Sequence, residues 1–157
     1  MTQTVTVSKR IRRSVREVGA FVADPHRLVP VMMTVGRSEY VDDDDEGQLW
    51  DVFLVSGTLH LGGRVLVTSD GNHGLQWRSL RGTRHSFTAH AEGDDQSSRI
   101  TVSLTFSLAG LGIARLSEFI GRGIVDRNLH AALEELRHHL EFEEDTTRLA
   151  SNSDQHS

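Results

Sequence analysis

The sequence contains no cysteine and only two prolines among its 157 residues. Without cysteine, the chain has no disulfides, thiolate zinc sites or iron–sulfur centres, and no cysteine nucleophile. No segment approaches the roughly 20 consecutive apolar residues of a membrane-spanning helix. Residues 1–5 have neither the basic nor the apolar region of a signal peptide. We therefore expect a cytoplasmic protein with no membrane span.

Basic residues are also scarce, with 17 Lys and Arg against 22 Asp and Glu and a net charge of −5. Phosphate binding favours a clustered basic excess, so we expect no nucleic-acid partner. The acidic run Asp42–Glu46 lacks the ligand spacing of an EF-hand. The glycine pairs near residues 110 and 121 lack the preceding strand of a dinucleotide-binding motif. We expect neither a metal nor a cofactor.

Hydrophobic periodicity predicts an α+β order of elements. Ser14 is a helix N-cap with Glu17 as its capping-box partner, and Asp24-Pro25 ends that helix. Alternating apolar residues predict the following strands: Thr2–Ile11, Val35–Asp42, Gln48–Val55, a strand ending near Ser69, one around Leu75–Ser79, Arg84–Ala91 and Arg99–Leu108. The helical segments are predicted at Val15–Ala23, from Pro25 to about Val31, and from about Leu111 to Phe142.

Three short segments are predicted to connect or interrupt these strands. The run Asp42–Glu46 is predicted to be a loop, and Ser56-Gly57 a two-residue hairpin turn that pairs Val55 with Thr58. Gly62-Gly63 lies inside a strand, which indicates a bulge or a sharp bend. If it is a bulge, Arg64 and Leu66 face inward there.

A sheet that is apolar on one side needs a cover, and the carboxy-terminal helix is the candidate. A helix of roughly 30 residues is about 45 Å long, enough to cross a bent antiparallel sheet of six to seven strands. Such a sheet cannot close perfectly around one helix, so we expect an internal cavity between them. We assign residues 1–142 to this domain and residues 143–157, which are polar, to a disordered tail.

Several segments resemble one known superfamily over Thr4–Glu141. They are Val15-Arg16-Glu17-Val18, Phe21-Val22-Ala23-Asp24-Pro25, Gly47-Gln48-Leu49-Trp50, Leu75-Gln76-Trp77-Arg78-Ser79, His85-Ser86, Ser98-Arg99-Ile100-Thr101-Val102, Asp126-Arg127-Asn128-Leu129 and Leu133-Glu134-Glu135-Leu136. The chain resembles the polyketide cyclase/dehydrase branch of the START-like (SRPBCC) superfamily, whose helix-grip fold is shared with birch-pollen allergen. The usual Pro-x-Trp after the second helix is replaced by Pro30-Val31-Met32-Met33. This resemblance implies a helix-grip fold but no invariant catalytic set.

Two functions follow from the cavity and the resemblance. The first is binding of a hydrophobic or aromatic small molecule. The alternative is an enzyme, a polyketide cyclase, aromatase or dehydratase (lyase-like), acting on the same ligand without a metal or redox cofactor. A third hypothesis is a docking protein or homodimer that uses the apolar helix face of Leu116, Ile120 and Ile124.

The candidate catalytic residues are His85, Arg122 and Ser79. His85 shares strand parity with Phe87, so it faces the cavity as an acid/base; the alternative is a rim histidine bonded to backbone or water. Ser79 offers a hydroxyl. Arg122 lies on the core stripe of the long helix with Glu118 four residues before it, and the alternative is a surface ion pair on a helix bent or loosened at Gly121 and Gly123.

Strand parity and the helix stripe also select candidate ligand-binding residues, for which plain core packing is the alternative. These are Met32, Trp50, Val52, Leu54, Leu59, Val65, Trp77, Phe87, Ile100, Val102, Leu104, Phe106, Glu118 and Val125. Trp50 and Trp77 would form a flat wall for a ring-shaped ligand, and Met32 a deformable lip.

Overall fold

Seven strands form one antiparallel sheet in this computed structural model, which describes residues 2–33, 36–56, 59–107 and 114–143. Side chains are described for these residues except 54–56, 59–61, 114–121 and 143. The strands are β1 (Thr2–Ile11), β2 (Gly36–Asp44), β3 (Gly47–Ser56), β4 (Leu59–Ser69), β5 (Gly74–Ser79), β6 (His85–Gly93) and β7 (Ser98–Ser107). Their order across the sheet is β1-β7-β6-β5-β4-β3-β2, so the first strand pairs with the last.

Two short helices follow β1, and a long helix follows β7. They are α1 (Val15–Val22), α2 (Pro25–Met32) and α3 (Ala114–His138), which continues into a π-helical turn, His139–Glu143. Ser14 Oγ accepts from the Glu17 backbone N–H at 3.2 Å, and Asp24 Oδ1 accepts from that of His26 at 3.0 Å, as N-caps do. The predicted α+β architecture is confirmed. In the described part of the chain, no helix is long and apolar enough to cross a bilayer.

The core lies between the concave side of the sheet and the three helices. Along β7 the side chains alternate strictly, with Ile100, Val102 and Phe106 almost fully buried and the intervening residues partly exposed. The apolar stripe of α3 covers this face through Leu129, Leu133 and Leu136, and Leu140 in the π-helical turn continues it. The parity that we predicted from alternation is therefore confirmed for β7.

The outer side of the β1–β7 pair carries a row of hydroxyl side chains. Thr4 bonds Thr105 at 3.0 Å, Thr6 bonds Ser103 at 2.8 Å and Ser8 bonds Thr101 at 3.0 Å. Each bond joins residues that lie directly opposite one another in the register. Cross-strand pairs of this kind stabilise a sheet register, and here they do so on the face that meets solvent.

Two predicted connections differ in the structure. The acidic run is mostly strand, because β2 extends to Asp44 and pairs it with Gly47. An edge strand with solvent on its outer face tolerates charges that a central strand would not. The hairpin between β3 and β4 pairs Ser56 with Leu59, so the intervening residues are 57 and 58, which lie outside the described residues. The described residues of these strands keep their predicted faces, since Val52, Val65 and Val67 are buried.

The predicted bulge at Gly62-Gly63 is absent from the β3–β4 pairing, whose register runs through both residues without a shift. Val65 accordingly stays in the core, and Arg64 forms an ion pair with Asp51 on the other side. The glycines are needed for a different reason. A Cβ on Gly63 would lie 2.0 Å from the Arg81 carbonyl oxygen, and one on Gly62 would lie 2.2 Å from the Val52 carbonyl oxygen on β3. Gly63 thus lets residues 80–83 pass close over β4, and Gly62 lets β3 and β4 approach.

The carboxy-terminal end of α3 is fastened to the end of β1 by a buried carboxylate. Glu141 accepts the Arg12 backbone N–H at 2.8 Å and a guanidinium N–H of Arg137 at 2.6 Å. Arg137 also bonds Glu134, which pairs with Lys9 on β1. Glu141 is only 5 % exposed, whereas Lys9, Arg137 and Glu134 are partly exposed, so the network runs from the surface to a buried carboxylate and ties the helix to the sheet edge.

The long helix is α-helical through Gly121 and Gly123, so a loosened turn is absent there, and a bend at these glycines stays a prediction. The irregular turn is instead the π-helical one at residues 139–143. Residues 144–157, which include most of the predicted tail, lie outside the described residues. So do the side chains of Leu116 and Ile120, whereas Ile124 is half-buried.

Candidate ligand site

A cavity of about 40 Å³ lies between α3 and the middle of the sheet. Its lining is drawn from α3, from the end of α2 and from five strands. Among the described residues it consists of Met32, Met33, Val52, Gly62, Trp77, His85, Phe87, Leu104, Val125, Asn128 and Leu129. The walls are predominantly apolar, and His85 and Asn128 bring ionisable or polar side chains to them.

The sheet side of the cavity is an aromatic wall. Trp77 on β5 and Phe87 on β6 are paired across the strands and stack with ring centroids 4.0 Å apart and planes 18° from parallel. Both residues are almost fully buried. A planar apolar surface of this size favours contact with another ring or a flat conjugated chain.

His85 is held by hydrogen bonds at both ring nitrogens. Nδ1 lies 2.8 Å from the Thr83 carbonyl oxygen, and Nε2 lies 3.2 Å from the indole nitrogen of Trp77. A carbonyl accepts and an indole N–H donates, so the hydrogen is on Nδ1 and the lone pair is on Nε2. Burial lowers the pKa of His85, although the bond to Thr83 opposes this shift. The imidazole is therefore neutral and fixed in one tautomer.

Ser79 and the glycine pair position this histidine. The Ser79 hydroxyl oxygen accepts the His85 backbone N–H at 3.0 Å. The Thr83 N–H donates to the Gly62 carbonyl at 2.9 Å, which is possible because residues 80–83 pass close over β4. Ser79 thus fixes the backbone at the start of β6, and the carbonyl of Thr83 lies within hydrogen-bond distance of the imidazole.

Asn128 lines the cavity and carries a buried donor that no described residue satisfies. Its Nδ2 is buried and has no hydrogen-bond partner within the described structure. The neighbours of Asn128 along the helix face, Val125 and Leu129, are almost fully buried. A buried amide group without a partner is unfavourable, so Asn128 lowers the stability of the folded protein when no ligand is bound.

Comparison with known proteins gives structural matches alone. No family model and no curated protein sequence matches this chain. TTHA0849 from Thermus thermophilus is similar in structure with a TM-score of 0.74 and 17% identity, over 86% of this chain and 94% of that one. Zhui aromatase/cyclase from Streptomyces sp. R1128 gives 0.70 and 13% identity, over 91% and 98% of the two chains. Norcoclaurine synthase from Thalictrum flavum, in complex with dopamine and hydroxybenzaldehyde, gives 0.53 and 14%, over 85% and 88%.

The chain has a helix-grip fold, which these solved structures share. In this helix-grip fold, seven of the seventeen predicted site residues are among the described residues that line the cavity. They are Met32, Val52, Trp77, His85, Phe87, Leu104 and Val125. Four other predicted residues, Val65, Ile100, Val102 and Phe106, are buried in the core but do not line it. The side chains of Leu54, Leu59 and Glu118 lie outside the described residues.

Trp50 packs away from the cavity of the helix-grip domain. Its ring lies 5.2 Å from that of His26 and 5.6 Å from that of Tyr40, measured between centroids, and its indole N–H donates to Gln48. Trp50 is buried, as strand parity predicts, but by α2 and β2. The aromatic wall therefore consists of Trp77 and Phe87, without Trp50.

Arg122 is not at the described cavity either. Arg122 and Gly123 are exposed, whereas Val125 is buried. Among the α3 residues whose side chains are described, Arg122 is at the surface although it lies on the same stripe as Val125, one turn later. A long arginine side chain also reaches solvent readily.

The sequence interpretation did not select Asn128 as a site residue, although a signal was present. Asn128 precedes Ala132 and Leu136 by four and eight residues, which is the spacing of one helix face. Both of those residues are fully buried. A polar residue in register with a buried stripe indicates an inward-facing polar group. Asn128 was missed because the sequence analysis followed only the leucines of the helix.

Proposed function

We propose that this protein binds a neutral hydrophobic or aromatic small molecule in the cavity between the sheet and α3. The observation that carries the proposal is the stacked Trp77–Phe87 wall in a predominantly apolar cavity. The similar structures support it, since one is described as an aromatase/cyclase and another is in complex with dopamine and hydroxybenzaldehyde. Apolar cavities with a few polar groups are the usual sites for small molecules.

A ring-sized ligand requires the cavity to widen. At about 40 Å³ it has room for roughly three water molecules. Met32 and Met33 border it, and the unbranched thioether side chain adapts its shape at little cost. We propose that the two methionines move apart when the ligand enters, in the place where related proteins carry a rigid tryptophan.

The test measures binding of 2-acetylnaphthalene by quenching of Trp77 fluorescence. The chain has two tryptophans, so a Trp50→Phe background leaves Trp77 as the reporter. Val125→Phe fills the cavity and should weaken binding at least tenfold. Val41→Phe makes the same change at a residue that is 38 % exposed and should leave binding unchanged.

A folded Val125→Phe variant that binds as tightly as the parent contradicts the proposal. If Val125→Phe does not fold, Met33→Phe serves instead, because Met33 is only partly buried against the core. Equal loss in the Val41→Phe control would place binding on the surface and also contradict the cavity.

The second candidate function is cyclisation or dehydration of a polyketide-like chain in the same cavity. It is favoured by the presence of His85 in the wall. For His85 to act as a base, Nε2 must be released from the Trp77 N–H, because that lone pair is occupied. Mass spectrometry of a linear poly-β-carbonyl thioester before and after incubation separates the two functions: a chain recovered unchanged favours binding alone.

A further inference from the structure

We infer that Asn128 selects ligands carrying a neutral oxygen acceptor, such as a ketone or aldehyde carbonyl, and holds that oxygen at the α3 side of the cavity. This inference rests on the proposed function and specifies the class of molecule bound. It assigns the buried amide of Asn128 a partner that the described residues do not supply.

The first step is that the donor is available. Nδ2 of Asn128 is buried and has no partner within the described structure. The other polar side chain in the described lining, His85, already uses both ring nitrogens within the protein. Asn128 is therefore the lining group with a free hydrogen-bond donor, and a ligand satisfies it by offering a lone pair.

The second step concerns charge. No aspartate, glutamate, lysine or arginine is among the described residues that line the cavity. A single neutral amide does not offset the desolvation of a carboxylate or an ammonium group. The ligand should be uncharged, and a carbonyl oxygen is the strongest neutral acceptor that an apolar frame commonly carries.

The third step gives the orientation. Asn128 enters from α3, between Val125 and Leu129, whereas Trp77 and Phe87 belong to the opposite, sheet side. A ligand that meets both has its ring against the sheet and its oxygen towards the helix. The ring of the ligand thus contacts the sheet, and its oxygen contacts α3.

The experiment compares two neutral probes of nearly the same shape, 2-acetylnaphthalene and 2-isopropenylnaphthalene, in which a methylene group replaces the carbonyl oxygen. Both are titrated against Trp77 fluorescence in the Trp50→Phe background. The variants are Asn128→Leu and the smaller Asn128→Val, and Asn72→Leu in an exposed turn is the matched control. The quantity measured is the ratio of ketone affinity to alkene affinity in each protein, which cancels the difference in hydration of the probes.

We expect the ratio to fall at least tenfold in both Asn128 variants and to stay unchanged in Asn72→Leu. We also expect the melting temperature of the empty Asn128 variants to equal or exceed that of the parent, since an unpaired donor has been removed. A structural asparagine would give the opposite result.

An unchanged ratio, with both probes still bound, overturns the role of Asn128 and leaves the proposed function standing. Failure of the parent to bind either probe overturns the proposed function and this inference together. Loss of folding in both Asn128 variants contradicts the inference, because it would show that the amide is needed to hold the protein.

Discussion

His85 bonds both the Thr83 carbonyl and the Trp77 indole N–H, and it can do so only while its ring is neutral. The neutral ring donates from Nδ1 to Thr83 and accepts at Nε2 from Trp77. A protonated ring has no lone pair at Nε2, so the indole N–H would lose its acceptor. Protonation therefore weakens the support of the aromatic wall as well as charging a buried group.

This predicts a pH dependence of stability. Burial holds the pKa of folded His85 below its ordinary value of 6.5, so near and below that pH the unfolded chain binds more protons than the folded one. Stability is then full above pH 6.5 and falls as the pH drops towards the folded pKa. Urea unfolding at pH 7.5 and 5.5 should show a loss on acidification that His85→Gln reduces, because glutamine can make both hydrogen bonds without titrating. The exposed His130→Gln serves as control, and an equal loss in His85→Gln would contradict the assignment.

At the scale of elements, two glycines in regular structure have opposite roles. A Cβ on Gly63 would lie 2.0 Å from a backbone oxygen at a φ of +138°, whereas one on Gly123 would meet nothing within 4 Å. Gly63→Ala should lower the free energy of unfolding by more than about 2 kcal/mol, since backbone must move. Gly123→Ala should raise it by up to about 1 kcal/mol through helix propensity. Urea unfolding measures both, and equal stability of the two variants would contradict the close passage of residues 80–83 over β4.

Sequence patterns predicted those elements that are defined locally. The bounds of β1 matched the alternation of Val5 and Val7, and the start of α1 matched its predicted N-cap, Ser14. The second helix begins at Pro25, as predicted, with Asp24 as its N-cap. The acidic hairpin was missed because its charges indicate a loop locally, and only its place at the sheet edge makes a strand tolerable. The site was predictable where strand parity decides, as at Trp77 and His85. It was not predictable where a helix residue faces the core only if the sheet packs against that turn of the helix, as at Arg122.

At the scale of the whole molecule, Glu141 connects the ends of the fold. Glu141→Ala removes the acceptor of the Arg12 N–H and one partner of Arg137, and should cost about 2–3 kcal/mol of unfolding free energy because both donors lose a buried, charged acceptor. Glu135→Ala, at an exposed residue of the same helix, should change it by less than about 0.5 kcal/mol. Urea unfolding with circular dichroism provides the comparison. A loss no larger than that of the control would mean that α3 is held by apolar packing alone.

The hydroxyl pairs between β1 and β7 have a consequence for how the chain folds during synthesis. The paired residues are 101, 97 and 93 positions apart, so β1 has no partner strand until the ribosome has released β7. Contacts of such long range close late and slow folding. Until then the apolar side of β1, with Val5, Val7 and Ile11, is uncovered and prone to association with other nascent chains. We therefore expect β1, the first strand to be synthesised, to be among the last to join the sheet.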